Sequence, residues 1–249
     1  MAAAAPVFIT ADWPAPRGVR AVQTTRLGGV SVGPYAGFNL ATHCGDEAAA
    51  VTANRALLRE TLALPSEPAW LQQVHGTDLV DAAQAAPDCR ADASATTETG
   101  VICTVMTADC LPVLFCSDDG RWVAAAHAGW RGLVDGVLEA TLRAAPYPPS
   151  ALLAWFGAAI GPDAFEVGPE VREAFVDRDA GAADAFTRGR DDRWQADLYA
   201  LARRRLAACG LTRVYGGGLC TYRDAERFFS FRREKVCGRM ATLIWREAS

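Results

Sequence analysis

The stretch Thr107-Ala-Asp-Cys-Leu-Pro-Val-Leu-Phe-Cys-Ser-Asp-Asp-Gly-Arg-Trp-Val-Ala-Ala-Ala-His-Ala-Gly-Trp-Arg-Gly132 decides how this chain is read. Pro112 to Cys116 and Trp122 to Ala126 are short apolar runs of strand length, and the polar segment Ser117 to Arg121 between them is rich in turn formers. The pattern predicts an antiparallel hairpin. With Asp118 and Asp119 as a two-residue loop, residues whose numbers sum to 237 face one another, which sets Cys110 opposite His127. Opposed residues have Cβ atoms roughly 4.5–5.5 Å apart, so both side chains would reach one metal ion. A turn on Asp119-Gly120 instead shifts the pairing by two residues and keeps the same face.

The chain holds only three histidines, and a second one, His75, lies in Gln73-Val-His-Gly76. It would arrive from a separate strand, Trp70 to Val74, ended by Gly76. His75, Cys110 and His127 offer two imidazoles and a thiolate, a set suited to zinc with a fourth position open to water or substrate. Their spacing is too wide for a zinc finger and fits a site assembled by the fold. Taken singly, a Cys beside an apolar run is ordinarily core packing, and a lone His is ordinarily just hydrogen-bonded. The joint register is what points to a metal.

At 249 residues the chain suits one large domain, and with 51% apolar residues it can bury a sizeable core. A net charge of −4 argues against a nucleic-acid surface, which would be basic. No apolar run approaches the length that crosses a bilayer. The Ala-rich start, Met1 to Thr10, lacks a basic region and an apolar core of signal-peptide type. The eight cysteines are scattered, with no C-x-x-C pair, so reduced thiols in the cytoplasm are the expectation.

Outside the hairpin, Val19 to Thr25, Val101 to Thr107, Ala151 to Gly157, Val214 to Leu219 and Arg239 to Trp245 read as strands. Helices are predicted over Ala48 to Leu62 (with Asp46 near its start as a cap), Gly132 to Ala145, Pro169 to Val176 and Ala196 to Cys209. The last puts Leu198, Leu201, Ala202 and Leu206 on one face, with Gly210 as its stop. The fold class expected is α/β: a single domain spanning residues 1–249, with mixed β-sheets layered against flanking helices.

The chain resembles the YfiH-like laccase-domain family, described first as multicopper polyphenol oxidases and later as purine nucleoside phosphorylases. The likeness runs almost end to end. It rests on Thr25-Arg-Leu-Gly-Gly-Val-Ser31, Phe38-Asn-Leu40, His43-Cys-Gly-Asp46, Trp70-Leu-Gln-Gln-Val-His-Gly76 and Arg90-Ala-Asp-Ala93. It continues through Met106 to Val113, His127 to Gly132, Ile160-Gly-Pro162, Phe165 to Gly168, Cys220-Thr221, Phe228 to Arg233 and Gly238 to Ala241. The resemblance places the family's metal triad on His75, Cys110 and His127. It implies phosphorolysis of adenosine, inosine, guanosine and methylthioadenosine, with adenosine deamination as a side activity.

The oxidase description can be weighed on residues alone. A multicopper oxidase needs about ten ligands, most of them His, and three histidines cannot supply them. Copper would still bind such a Cys/His/His site, since it outcompetes zinc at most nitrogen and sulfur sites. Phosphorolysis needs an anion site. Arg26 beside Gly28-Gly29, and Arg131 in Gly129-Trp-Arg-Gly132, are the candidates, because a guanidinium grips phosphate bidentately. For each the plainer reading is a surface ion pair. Asn39, His43 and Gln73 are candidate substrate-binding residues, though turn chemistry would also explain the first two. Asp109, next to Cys110, is a candidate to orient a metal-bound imidazole or accept a proton, against a plainer role as a strand-end cap. The partners expected are a purine nucleoside and phosphate, with no nucleic acid and no membrane, and a monomer is the expected state. Two other readings stand beside this one: a zinc amidase acting on a cell-wall precursor with a mis-incorporated amino acid, and a non-catalytic zinc-binding protein. A saturated four-ligand site without a pocket would favour the latter.

Overall fold

The computed structural model describes residues 5–247, so Met1 to Ala4 of the Ala-rich start lie outside it. A six-stranded sheet is built from β3 (Leu79–Asp81), β4 (Ala93–Thr96), β6 (Leu111–Ser117), β7 (Val123–Ala128), β8 (Leu152–Phe156) and β12 (Val214–Gly216), in the order β12-β8-β6-β7-β4-β3. A four-stranded sheet follows the order β1-β2-β13-β5, from β1 (Phe8–Thr10), β2 (Val19–Thr24), β13 (Met240–Arg246) and β5 (Ile102–Thr107). A small third sheet joins β9 (Glu166–Val167), β10 (Phe186–Arg188) and β11 (Trp194–Ala196).

The two larger sheets pack face to face, and the period-2 alternation of their strands shows why. In β6, Leu114 and Cys116 point to the layer shared with Cys103, Val105 and Ile244 of the other sheet. Val113 and Phe115 point the opposite way, into a second core. That second core is closed by α2 (Trp130–Asp135), α3 (Val137–Ala144), α4 (Pro169–Val176) and α5 (Leu198–Ala208). The outer face of the four-stranded sheet is covered by Phe38 and Leu40 and by Leu58 of α1 (Ala48–Thr61). Strands covered on both faces carry near-continuous apolar runs, as β6 does. A short α6 (Phe231–Glu234) precedes β13. The molecule is thus the single-domain α/β fold with layered mixed sheets that its sequence implies.

Four expectations need correction. The hairpin pairs Pro112 with His127 and Cys116 with Val123, the register of the turn on Asp119-Gly120. Ser117 decides this: its hydroxyl accepts the N–H groups of Arg121 and Trp122 at 3.1 Å each and donates to Asp119, while Gly120 takes φ +67°. The helix over 132–145 is two helices, broken where Gly136 adopts φ +106°. Trp70 to Val74 is extended but joins no sheet; Ala69 and Gln72 make only single bridges, to Cys103 and Arg90. Asp46 is likewise not the helix cap. Its carboxylate takes the Ser31 hydroxyl at 2.7 Å and the Asn39 amide at 2.9 Å, and Glu47 occupies the cap position without a side-chain bond.

Candidate metal centre and its cleft

Three chain segments meet where the two large sheets come together. Cys110 sits in the link from β5 to β6, His127 lies one residue before the end of β7, and His75 follows the extended segment over 69–74. Their ligand atoms all lie within 4.8 Å of one another. The observed register sets Cys110 diagonal to His127 rather than opposite it, and on the same face, which still brings thiol and imidazole together.

Asp92 organises the site. Its buried carboxylate takes Nδ1 of His127 at 2.8 Å, and also the backbone N–H groups of Val74, His75 and Gly76 at 3.1, 2.9 and 2.7 Å. With Nδ1 so engaged, Nε2 of His127 is left for a metal, the arrangement by which a carboxylate fixes an imidazole ligand. The same carboxylate holds His75 in the left-handed region, at φ +62°, a conformation uncommon outside glycine. The two imidazoles stand edge to face, their centres 4.8 Å apart. Gly129 closes the site from behind: a Cβ there would meet Cys110 Sγ and His75 Cδ2 at 2.9 Å each.

The electrostatics suit a ligand set. Burial pushes the Cys110 thiol up, and the charges and hydrogen bonds of His127 and His75 more than reverse this, bringing it below its ordinary value. Burial opposes the His127 imidazolium, and Cys110 and Asp92 outweigh it, raising its pKa. Burial likewise opposes the Asp92 carboxylate, but His127 and the N–H groups of Gly76 and Val74 hold its pKa low. The donor chemistry, two imidazoles and a soft thiolate oriented by a carboxylate, fits zinc or copper.

Beside the triad opens a cleft of about 310 Å³ lined by His43, Gln73, Thr107, Phe231 and Arg239 together with the three ligands. A larger groove of about 800 Å³ runs along α5, but its charges are spent on the pairs Arg204–Asp179, Arg205–Glu139 and Arg178–Asp135. It holds none of the triad.

The other sequence candidates are dispersed. His43 lines the cleft, and partial burial followed by the charges of Arg239 and Arg55 lowers its pKa. Gln73 lines it too, though its amide is spent on the backbone of Met106, donating to the carbonyl at 2.8 Å and accepting the N–H at 2.7 Å. Asn39 is fully buried and bonded to Ala41, Asp46 and the N–H of Arg239, the loop-stabilising role. Arg26 pairs with Glu234 at 2.8 Å and lies over Phe229. Arg131 is exposed at the start of α2 and lies over Trp130. Asp109 takes the Thr221 hydroxyl at 2.6 Å and the Arg232 N–H at 2.7 Å, while the imidazole bond goes to Asp92. Asp92, Phe231 and Arg239 all stand in motifs that carry the resemblance, and their part in the site escaped the sequence reading.

Residues 20–247 match the family described as multi-copper polyphenol oxidoreductase laccase. The chain belongs to that family. Relatives of this laccase-like chain carry a different activity in their names. Purine nucleoside phosphorylase YfiH of Escherichia coli (strain K12) is 53% identical over 239 residues, covering 96% of this chain and 98% of its own. A Pseudomonas aeruginosa protein also named a purine nucleoside phosphorylase is 53% identical over the same shares of both chains. A crystal structure of a Neisseria meningitidis protein superposes with a TM-score of 0.94 at 50% identity, covering 97% of this chain and 99% of that one. The laccase label implies several copper ions. Among the described residues there is one three-ligand cluster. No helix there is long and apolar enough to cross a membrane.

Proposed function

We propose that the chain is a zinc-dependent purine nucleoside phosphorylase acting on adenosine, inosine, guanosine and methylthioadenosine, with adenosine deamination as a side activity. The observation that carries this reading is the convergence of His75, Cys110 and His127 on a cleft instead of a closed four-ligand site. Open, three-ligand sites are catalytic in type, whereas structural zinc is enclosed by four ligands. The names of the relatives supply the substrate class. Copper would occupy the same ligands in a test tube, and phenol oxidation would then report the metal supplied.

Zinc bound there would supply a positive charge that polarises substrate or activates water. His75, Cys110 and His127 would hold it, and Asp92 would fix the His127 imidazole and the backbone that carries His75. His43, whose pKa is lowered by partial burial and the charges of Arg239 and Arg55, can accept or donate a hydrogen bond to ribose or base at the cleft wall. Phe231 offers a half-exposed ring on which a purine can stack. Asp109 would act by tying the Cys110 link to Thr221 and Arg232.

The products of adenosine test the reading. Phosphorolysis yields adenine and ribose 1-phosphate at a rate that saturates with phosphate. Free ribose alone, or indifference to phosphate, would eliminate it. Inosine alone would assign the site to attack of water on the base. Amide cleavage of a cell-wall precursor, without nucleoside turnover, would replace the reading altogether.

A further inference from the structure

Of the residues that line the cleft, Arg239 alone carries a permanent charge. Its guanidinium is held from one side. Nη1 donates to the carbonyl oxygens of Cys237 and Gly238 at 2.8 and 3.0 Å, and the Phe231 ring lies 5.7 Å away. No carboxylate pairs with it among the described residues, which leaves the Nε and Nη2 edge, the planar fork that suits a phosphate.

The neighbouring strand adds a second, independent feature. Thr107 of β5 is paired with Met240 of β13, the residue after Arg239, and Thr107 also lines the cleft. The residue is 1% exposed, and its buried hydroxyl has no hydrogen-bond partner. A buried hydroxyl left unsatisfied is costly unless a ligand completes it. Arg26, by contrast, is paired with Glu234, and neither Arg26 nor Arg131 lines the cleft.

We propose that Arg239, together with the Thr107 hydroxyl of the neighbouring strand, is the subsite that binds inorganic phosphate. The inference rests on the phosphorylase reading for its choice of anion. The residues themselves can be tested apart from it.

The test titrates inorganic phosphate into the metal-loaded full-length protein, by calorimetry or phosphorus NMR, for the wild type, Arg239→Gln, Arg239→Lys and Thr107→Val. Metal content and melting temperature are recorded for each. Arg239→Gln weakens phosphate binding at least about tenfold, and Arg239→Lys recovers part of the loss because lysine keeps the charge without the fork. Thr107→Val, which breaks no bond within the protein, weakens binding by about threefold and leaves the melting temperature near that of the wild type. In turnover assays the phosphate KM rises in parallel, while the adenosine KM stays within about twofold.

Wild-type phosphate affinity in folded, metal-loaded Arg239→Gln overturns the subsite, even where turnover is phosphate-dependent; phosphorolysis then stands with its anion held elsewhere. A wild type that binds no phosphate also overturns it. Arg239-dependent phosphate binding by a protein that releases no ribose 1-phosphate upholds the subsite and removes the phosphorylase reading. Should Arg239→Gln not fold, the lysine and Thr107 variants decide.

Discussion

Oδ1 of Asp92 takes Nδ1 of His127 at 2.8 Å and the backbone N–H of His75 at 2.9 Å, so a single buried oxygen positions two of the three proposed ligands. Asp92→Asn keeps the size and loses the charge. Its metal affinity, measured by competition with a chelator, should fall about 10–100-fold. An unchanged affinity would remove Asp92 from the metal centre.

The same substitution has a pH signature. The folded-state pKa of Asp92 lies below the unfolded value of about 3.9, so its stabilisation is present above that value and lost as pH falls through the folded one. The metal-free Asn variant should therefore melt well below the wild type at pH 7, and the gap should narrow in acid. A gap that is constant from pH 7 to pH 2 would contradict the assigned charge.

Gly129→Ala separates the site from the fold. Its φ of −62° is open to any residue, so the cost falls on Cys110 and His75, which the new methyl group would meet at 2.9 Å. Metal affinity should drop while the circular dichroism spectrum stays unchanged. Full metal affinity would mean that the ligands have more room than the geometry allows.

Cys110 should be the thiol alkylated first in the metal-free protein near neutral pH. Its depressed pKa makes the thiolate available above that value, and labelling should fade as pH falls through it. Cys103 and Cys116, pushed up to about 12 by burial, should stay unlabelled. Added zinc should protect Cys110, as peptide mass spectrometry would read. Labelling of Cys110 unaffected by zinc would argue against its being a ligand.

Most strands were legible because they are apolar runs bounded by turn residues; β2, β5, β8 and β13 all fall within a residue or two of their expected ends. The triad was legible because the hairpin keeps Cys110 and His127 on one face in either register. The register itself was not. It depends on the Ser117 hydroxyl bonding across the turn, which two adjacent aspartates and a glycine do not reveal. Asp92 and Arg239 were unreadable for a different reason. Asp92 reaches His127 across 35 positions, and Arg239 enters the cleft only because β13 pairs with β5 across more than a hundred.

Gly136 shows a local version of the same limit. Helical composition runs straight through it, yet its φ of +106° splits α2 from α3 and turns the chain onto the sheet. Gly136→Ala should destabilise the protein by roughly 1–2 kcal/mol in denaturant melts, because a Cβ disfavours that conformation. No loss would show that the backbone relaxes without cost.

The most direct measurement is the release of ribose 1-phosphate from adenosine, at saturating phosphate, by zinc-loaded wild type beside Cys110→Ala of matching melting temperature. The wild-type rate should saturate with phosphate, and the variant should lose at least about 100-fold, having lost the one charged ligand of the metal. A folded Cys110→Ala protein releasing ribose 1-phosphate at close to the wild-type rate, or a wild type that releases only free ribose, would contradict metal-dependent phosphorolysis at this site.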